Sequence, residues 1–272
     1  MNQTLPARRD VIAGRHDVSN LNYVLQAYGD GRLFGESYGE GSPRVIWLHG
    51  WARRGSDFHD CATILAGHGV ASVALDLPGF GASPAPASPG GARHYATLIT
   101  STLAQLGDGP LVVVGHSFGG RVATVVAATH PELVRAVVLT GVPLLRTSVT
   151  SAPPWRYRSI RWLHGRGVIS EERMERARQR YGSTDYRNAS GIIRDVLVIT
   201  VNESYDDELA AIRVPVTMVW GSDDTAAPVP MATRAASMLH GPHSLDVLNG
   251  IGHMLPLDAP DALAASVMEA LA

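Results

Sequence analysis

Short apolar runs alternate with longer amphipathic ones along most of the chain. Leu33 to Tyr38, Arg44 to His49, Val70 to Leu75, Leu111 to Val114, Val134 to Thr140, Val214 to Trp220 and Ser244 to Leu248 read as strands: they are four to seven residues long, rich in β-branched side chains and closed by glycine, proline or aspartate. Ser56 to Ala66, Tyr95 to Leu106 and Arg121 to Thr129 carry apolar residues at helical spacing, with Ser56 placed to cap the first of them. Strands separated by helices predict an α/β fold, a mostly parallel central sheet with helices on both faces. Gly39 to Pro43 is a turn that would pair the first two of these strands, and Val18 to Tyr28 predicts a short helix.

The alternation stops at Pro143 and resumes near Ile212. The intervening residues are helical in pattern at Glu171 to Tyr181 and Ile192 to Val201. They predict a helical lid, or cap, of residues 143–211 inserted into a core of residues 1–142 and 212–272. Both ends of the insertion leave the sheet at its carboxyl end, where such sheets bind ligands. Trp155, Tyr157 and Trp162 in its first half are large aromatics suited to a substrate wall. That half is also basic: Leu144 to Arg180 holds nine arginines against three glutamates. The charge is read first as a solvated helix surface, and second as a preference for an anionic substrate.

Composition narrows the possibilities. The chain has 272 residues, 45% hydrophobic and 18% charged, enough for one large globular domain with an inserted subdomain. A net charge of −2 offers no field to attract nucleic acid or a membrane. All 23 basic residues are arginine, which removes a phosphate-loop lysine, a Schiff-base lysine and a Ser–Lys dyad. A single cysteine, Cys61, removes a disulfide framework and any multi-cysteine zinc site. The polar start, with no apolar stretch of spanning length after it, makes the cytoplasm the expected location. No metal or organic cofactor is expected, and the expected partner is a small-molecule substrate, met by a monomer or homodimer.

The candidate chemistry lies where strands end. Leu111-Val-Val-Val114 runs into Gly115-His-Ser-Phe-Gly119 and then into a helix, which puts Ser117 at the apex of a tight strand–turn–helix. A Cβ at Gly115 or Gly119 would collide with backbone, and the turn pushes the serine hydroxyl out over the sheet. A serine needs a base to take its proton and an acid to orient that base. Both follow in order after later strands. Asp223 and Asp224 compete as the acid, while Gly141-Val-Pro143, at the end of an earlier strand, offers no carboxylate. His253 lies in the glycine-flanked turn Asn249-Gly-Ile-Gly-His253.

These motifs, with His49-Gly50 and Asp76-x-Pro-Gly-x-Gly-x-Ser83, resemble the α/β-hydrolase superfamily, and specifically its lid-bearing serine esterases, over nearly the whole chain. The resemblance selects Asp224, fourth in Gly221-x-x-Asp-x-x-x-Pro228, as the acid. It implies an oxyanion hole made by the backbone N–H groups of Trp51 and Phe118, and structural roles for Asp76 and His116. It implies hydrolysis of a small carboxylic ester or lactone through a catalytic triad of Ser117, His253 and Asp224. Carbon–carbon bond hydrolases and cofactor-free haloperoxidase-like enzymes are alternatives within it, although Gly50-Trp-Ala-Arg-Arg54 departs from the glycine-rich turn of the former. Ser117 argues against the relatives that place an aspartate nucleophile there. A ligand-binding receptor that retains the triad is an alternative of another class.

Overall fold

A computed structural model gives the fold and describes residues 23–146, 155–181 and 183–272. In chain order the elements are strands β1 (Val24–Tyr28), β2 (Leu33–Tyr38) and β3 (Val45–Leu48), helix α1 (His59–Gly67), β4 (Ser72–Asp76), α2 (Ala92–Leu106), β5 (Leu111–His116), α3 (Phe118–Thr129) and β6 (Val134–Thr140). Among the described residues five helices follow without a strand: α4 (Trp155–Gly165), α5 (Glu171–Tyr181), α6 (Thr184–Asn188), α7 (Gly191–Thr200) and α8 (Asp206–Ala211). The chain then closes with β7 (Val216–Gly221), α9 (Val229–Ala236), β8 (His243–Leu248), α10 (Leu255–Asp258) and α11 (Pro260–Leu271).

The eight strands form one sheet in the order β1-β2-β4-β3-β5-β6-β7-β8. β1 and β2 are antiparallel to each other, β2 is antiparallel to β4, and every other pairing is parallel. Parallel strands in the middle must be covered on both faces, and their sequences are apolar throughout for that reason. Along β3, Ile46 and Leu48 point into a core shared with α2 and α3, while Val45 and Trp47 point into a second core under α1 and α11. β5 alternates in the same way, with Leu111 and Val113 on one side and Val112 and Val114 on the other. Each such fully buried side chain contributes about 1.5–3 kcal/mol, which makes this central pair the rigid base for what stands at its carboxyl end.

Three expectations need correction. β2 and β3 are not paired, because β4 lies between them. All of β3 is buried, so it takes the central position with two parallel neighbours, and the six residues 39–44 easily span the roughly 10 Å across β4. Residues 24–28 are a strand, not a helix: Tyr28 leads into a turn whose Gly29, Asp30 and Gly31 all have positive φ, and β1 folds back along β2 as a hairpin. Residues 18–22 lie outside the described residues. Ser56 does not cap a helix, since it sits within a 3-10 turn, Gly55–Phe58, and α1 starts only at His59 with no side-chain cap. Among the described residues no helix is long and apolar enough to cross a membrane.

Candidate active site

The turn between β5 and α3 is tight because glycine makes it possible. A Cβ on Gly115 would overlap the backbone of Gly120, and one on Gly119 would overlap the carbonyl of Leu48 in the neighbouring strand. The strain falls on Ser117, with φ 50° and ψ −111°, a conformation that costs a non-glycine residue about 1–3 kcal/mol. Two backbone bonds hold it: Ser117 N–H donates to Thr140 O at 3.0 Å, and Gly119 N–H donates to His49 O at 2.9 Å. β6 and β3, on either side of β5, thus anchor the turn.

The other two predicted residues come to this serine from the far end of the chain. His253 Nε2 lies 3.2 Å from Ser117 Oγ, and His253 Nδ1 lies 2.8 Å from Asp224 Oδ2. A neutral imidazole that donates Nδ1–H to a carboxylate leaves Nε2 as the acceptor for the serine proton. Asp224 is 3% exposed, and its second oxygen accepts N–H bonds from Ala226 (2.9 Å) and Ala227 (2.8 Å). Burial pushes its pKa up, but the His253 bond and the Ala227 N–H outweigh that and hold the carboxyl below its usual range. Asp223 is exposed, and among the described residues its carboxylate accepts only from Ser222 Oγ, at 2.7 Å. Asp223 N–H donates to Ile251 O at 2.9 Å and so ties the acid's loop to the histidine's.

Two buried histidines support this arrangement. His116 Nε2–H donates to the His253 carbonyl at 2.9 Å, and burial, with the nearby His253, lowers its pKa to about 3. It therefore adds no second positive charge when His253 takes up a proton. His49 accepts the Leu77 N–H on Nε2 at 2.9 Å and donates Nδ1–H to Gly50 O at 2.7 Å, which fixes the loop leading to Trp51. Burial lowers its pKa as well. Asp76 accepts from Gly55 N–H and Ala82 N–H, both at 2.7 Å, and so closes two loops.

Among the described residues neither Trp51 N–H nor Phe118 N–H has a backbone partner. Both residues line the same cavity as Ser117 and His253, a space of about 350 Å³. The Trp51 ring meets Phe80 and Phe118 edge-on at 5.1 and 5.5 Å, which fixes the loop that carries the free N–H. The opposite wall comes from α6 and α7, through Asp185, Leu197, Thr200 and Val201, and from Pro143. The expected aromatic wall needs correction. Tyr157 packs against Tyr181 at 5.9 Å instead of lining the cavity, because α4 and α5 pack on each other. Trp162 is 54% exposed and lies beneath the Arg166 guanidinium at 3.7 Å. The side chain of Trp155 lies outside the described residues.

Sequence reading passed over two residues at this site. Arg121 lines the cavity, and the signal for it was a lone charge on an apolar helix, four residues after Ser117. Gly141, in the strand end that lacks a carboxylate, has φ +59°, and a Cβ there would lie 3.0 Å from His253 Nδ1 and 3.1 Å from Asp224 Oδ2. Gly141→Ala is expected to cost about 1–2 kcal/mol of stability from backbone conformation alone and to lower turnover about 10- to 100-fold by displacing the imidazole. A thermal melt together with short-chain ester kinetics measures both; turnover within twofold of wild type would mean that the histidine is not confined from this side.

The sequence model of the family described as "Alpha/beta hydrolase family" matches residues 45–266. Lipase LipV of Mycobacterium tuberculosis is 42% identical over 105 residues, 38% of this chain and 39% of that protein. Pimeloyl-[acyl-carrier protein] methyl ester esterase of Chromobacterium violaceum is 40% identical over 107 residues, 39% of each. These matches thus span about two-fifths of the relatives' own length. Among solved structures, a thioesterase domain from the curacin biosynthetic pathway superposes with a TM-score of 0.67 at 23% identity, covering 92% of this chain and 100% of the domain. A thermophilic esterase from Thermogutta terrifontis gives 0.64 at 19%, covering 92% and 98%. A family model that spans most of the sheet and both ends of the hydrogen-bonded Ser–His–Asp chain leaves no other assignment: the chain belongs to the alpha/beta hydrolase family.

Proposed function

We propose that the protein is a serine hydrolase that cleaves a small carboxylic ester or lactone through an acyl-enzyme on Ser117. The observation that carries this reading is the bond chain Asp224–His253–Ser117, which opens into a cavity beside two N–H groups without backbone partners. His253 takes the hydroxyl proton as Ser117 Oγ attacks the carbonyl carbon. The N–H groups of Trp51 and Phe118 hold the resulting oxyanion, each contributing about 3 kcal/mol. The positive end of α3, which starts at Phe118, favours the same charge. His253 then protonates the leaving oxygen, and water activated by the same nitrogen releases the acid. The relatives above, a lipase, a methyl ester esterase and a thioesterase domain, accord with acyl transfer to water. In this reading residues 143–211 act as a cap over the core, with α6 and α7 as its working face.

A fluorophosphonate is expected to add one equivalent per chain, at Ser117, and to abolish hydrolysis of a short-chain chromogenic ester. Peptide mapping of the adduct checks this. An adduct elsewhere, or full turnover in the labelled protein, excludes the mechanism. An adduct at Ser117 on a protein that binds ester analogues tightly without turnover favours a receptor.

A further inference from the structure

Arg121 is a charged side chain in an otherwise apolar part of α3, one helical turn after Ser117, and it borders the cavity. Its donors are committed in two directions. Nε–H donates to Pro143 O at 3.0 Å, where the chain leaves β6, and Nη1–H donates to Thr200 O at 2.8 Å, at the end of α7. Its guanidinium lies 5.8 Å from the ring centroid of Tyr205, and among the described residues no carboxylate sits at ion-pair distance from it. Burial lowers its pKa, and Tyr205 and the Glu203 carboxylate act in the opposite sense.

The surroundings show why both strands of the connection meet here. Tyr205 N–H donates to Leu144 O at 3.1 Å, joining the returning segment to the departing one. Tyr205 O–H donates to Glu203 Oε2 at 2.6 Å, and the same oxygen accepts Ala92 N–H at 2.9 Å. The departing segment, the end of α7 and the start of α2 thus form one cluster around Arg121. Pro143, Thr200 and Val201 are also cavity wall. A planar guanidinium holds Nε and Nη1 in one rigid fork, so each serves its own carbonyl at a fixed separation, whereas an ammonium gathers its three donors at one atom on a flexible stem.

We propose that Arg121 is a positioning residue for substrate selection: from the helix behind Ser117 it clasps the Pro143 and Thr200 carbonyls, and so sets how far the Thr200–Val201 wall stands from the nucleophile and how large an acyl group fits. The proposal rests on Ser117 as the nucleophile. A merely structural arginine would reduce the fraction of folded protein and scale every substrate alike, whereas a clasp on the wall changes one substrate relative to another.

The test compares wild type, Arg121→Met and Arg121→Lys on p-nitrophenyl esters from acetate to octanoate, with active sites counted by fluorophosphonate titration. In Arg121→Met, KM for the preferred chain length is expected to rise about tenfold, the equivalent of one charged hydrogen bond, with kcat per titrated site changed much less and the length preference flattened. Arg121→Lys is expected to recover part of the preference, since it keeps the charge and one bond. An unchanged ratio between short and long esters in both variants overturns the proposal, and so does full recovery in Arg121→Lys, which would make charge alone sufficient. If Arg121→Met does not fold, Arg121→Lys decides by the same ratio. Hydrogen exchange provides a readout independent of turnover: amides of Val198 to Val201 are expected to exchange faster in the variants, with those of β5 unchanged. Unaltered exchange there overturns the clasp whatever Ser117 does, while absence of an adduct at Ser117 in wild type sinks only the nucleophile.

Discussion

Ser117→Ala is expected to lower kcat for a short-chain ester about 10⁶-fold while leaving KM within a few fold, the size of loss seen when a nucleophile of this kind is removed from a serine protease. Ser117 Oγ lies 3.2 Å from Nε2, the imidazole nitrogen that Asp224 leaves free, and Trp51 and Phe118 line the same cavity. Alanine suits the position no better than serine does, since φ 50° strains both, so the variant should fold as wild type does. Residual hydrolysis about 10³-fold or more above the solution reaction should persist, because the free N–H groups still stabilise an oxyanion made by water. Burst kinetics separate the cases: wild type should release a stoichiometric burst of chromophore if deacylation is slow, and the variant none. A variant within 100-fold of wild type would mean that His253 activates water directly and that Ser117 is a spectator.

Asp224→Asn is expected to cost about 10⁴-fold in kcat, and Asp223→Asn less than about threefold. Adjacent aspartates of similar sequence context have opposite surroundings. Asp224 is buried, bonds His253 Nδ1 at 2.8 Å and is itself held by Ala226 and Ala227, so its rotamer is fixed from behind. An asparagine there would keep the volume, but its amide could donate to Nδ1 and hold the imidazole in the tautomer that presents Nε2–H to the serine. That tautomer cannot accept the hydroxyl proton. The exposed Asp223 side chain is hydrogen-bonded, among the described residues, to Ser222 alone. Steady-state kinetics at high pH sharpen the comparison, since hydroxide can partly replace a lost base. If Asp223→Asn were the crippled variant, the acid would have to lie one residue earlier than the hydrogen bonds place it.

Much of this site was legible in the sequence because its requirements are local. Gly115 and Gly119 are needed within a few residues of Ser117, and the acid and base each follow a strand directly, so spacing located the serine and the histidine and narrowed the acid to Asp223 or Asp224. The resemblance to the hydrolase pattern, with the acid fourth in Gly221-x-x-Asp224, separated the two aspartates, and their burial differs in the same sense. What spacing could not convey depended on packing between distant segments. The order of β2, β4 and β3 follows from which strand is buried on both faces, and that burial comes from helices far along the chain. Val24 to Tyr28 has residues that suit either a helix or a strand, and only β2 beside it decides. The aromatic side chains of α4 suited a substrate wall in composition, yet Tyr157 is taken up by Tyr181, and the wall is made by plainer residues of α7. Arg121 was visible only as an anomaly, a charge in an Ala- and Val-rich run, because its two partners are carbonyls that no side-chain pattern records.

Two neighbouring strands, β6 and β7, end within reach of one imidazole nitrogen. The direction in which a side chain would leave Gly141 brings its first carbon to 3.0 Å from His253 Nδ1, the atom that Asp224 serves from the next strand. The carboxylate thus has two possible addresses in this sheet, and one is kept clear by a hydrogen atom. Aspartate is among the few side chains that accept a left-handed backbone, so at 141 it is the imidazole, not the backbone, that stands in its way. Carboxylates at both would set like charges side by side and push one of them to hold a proton, while carboxylates at neither would leave the imidazole unoriented. An exchange of glycine and aspartate between 141 and 224 therefore cannot be made by those two positions alone, because the first carbon of the new side chain meets the imidazole itself and the histidine has to shift with it.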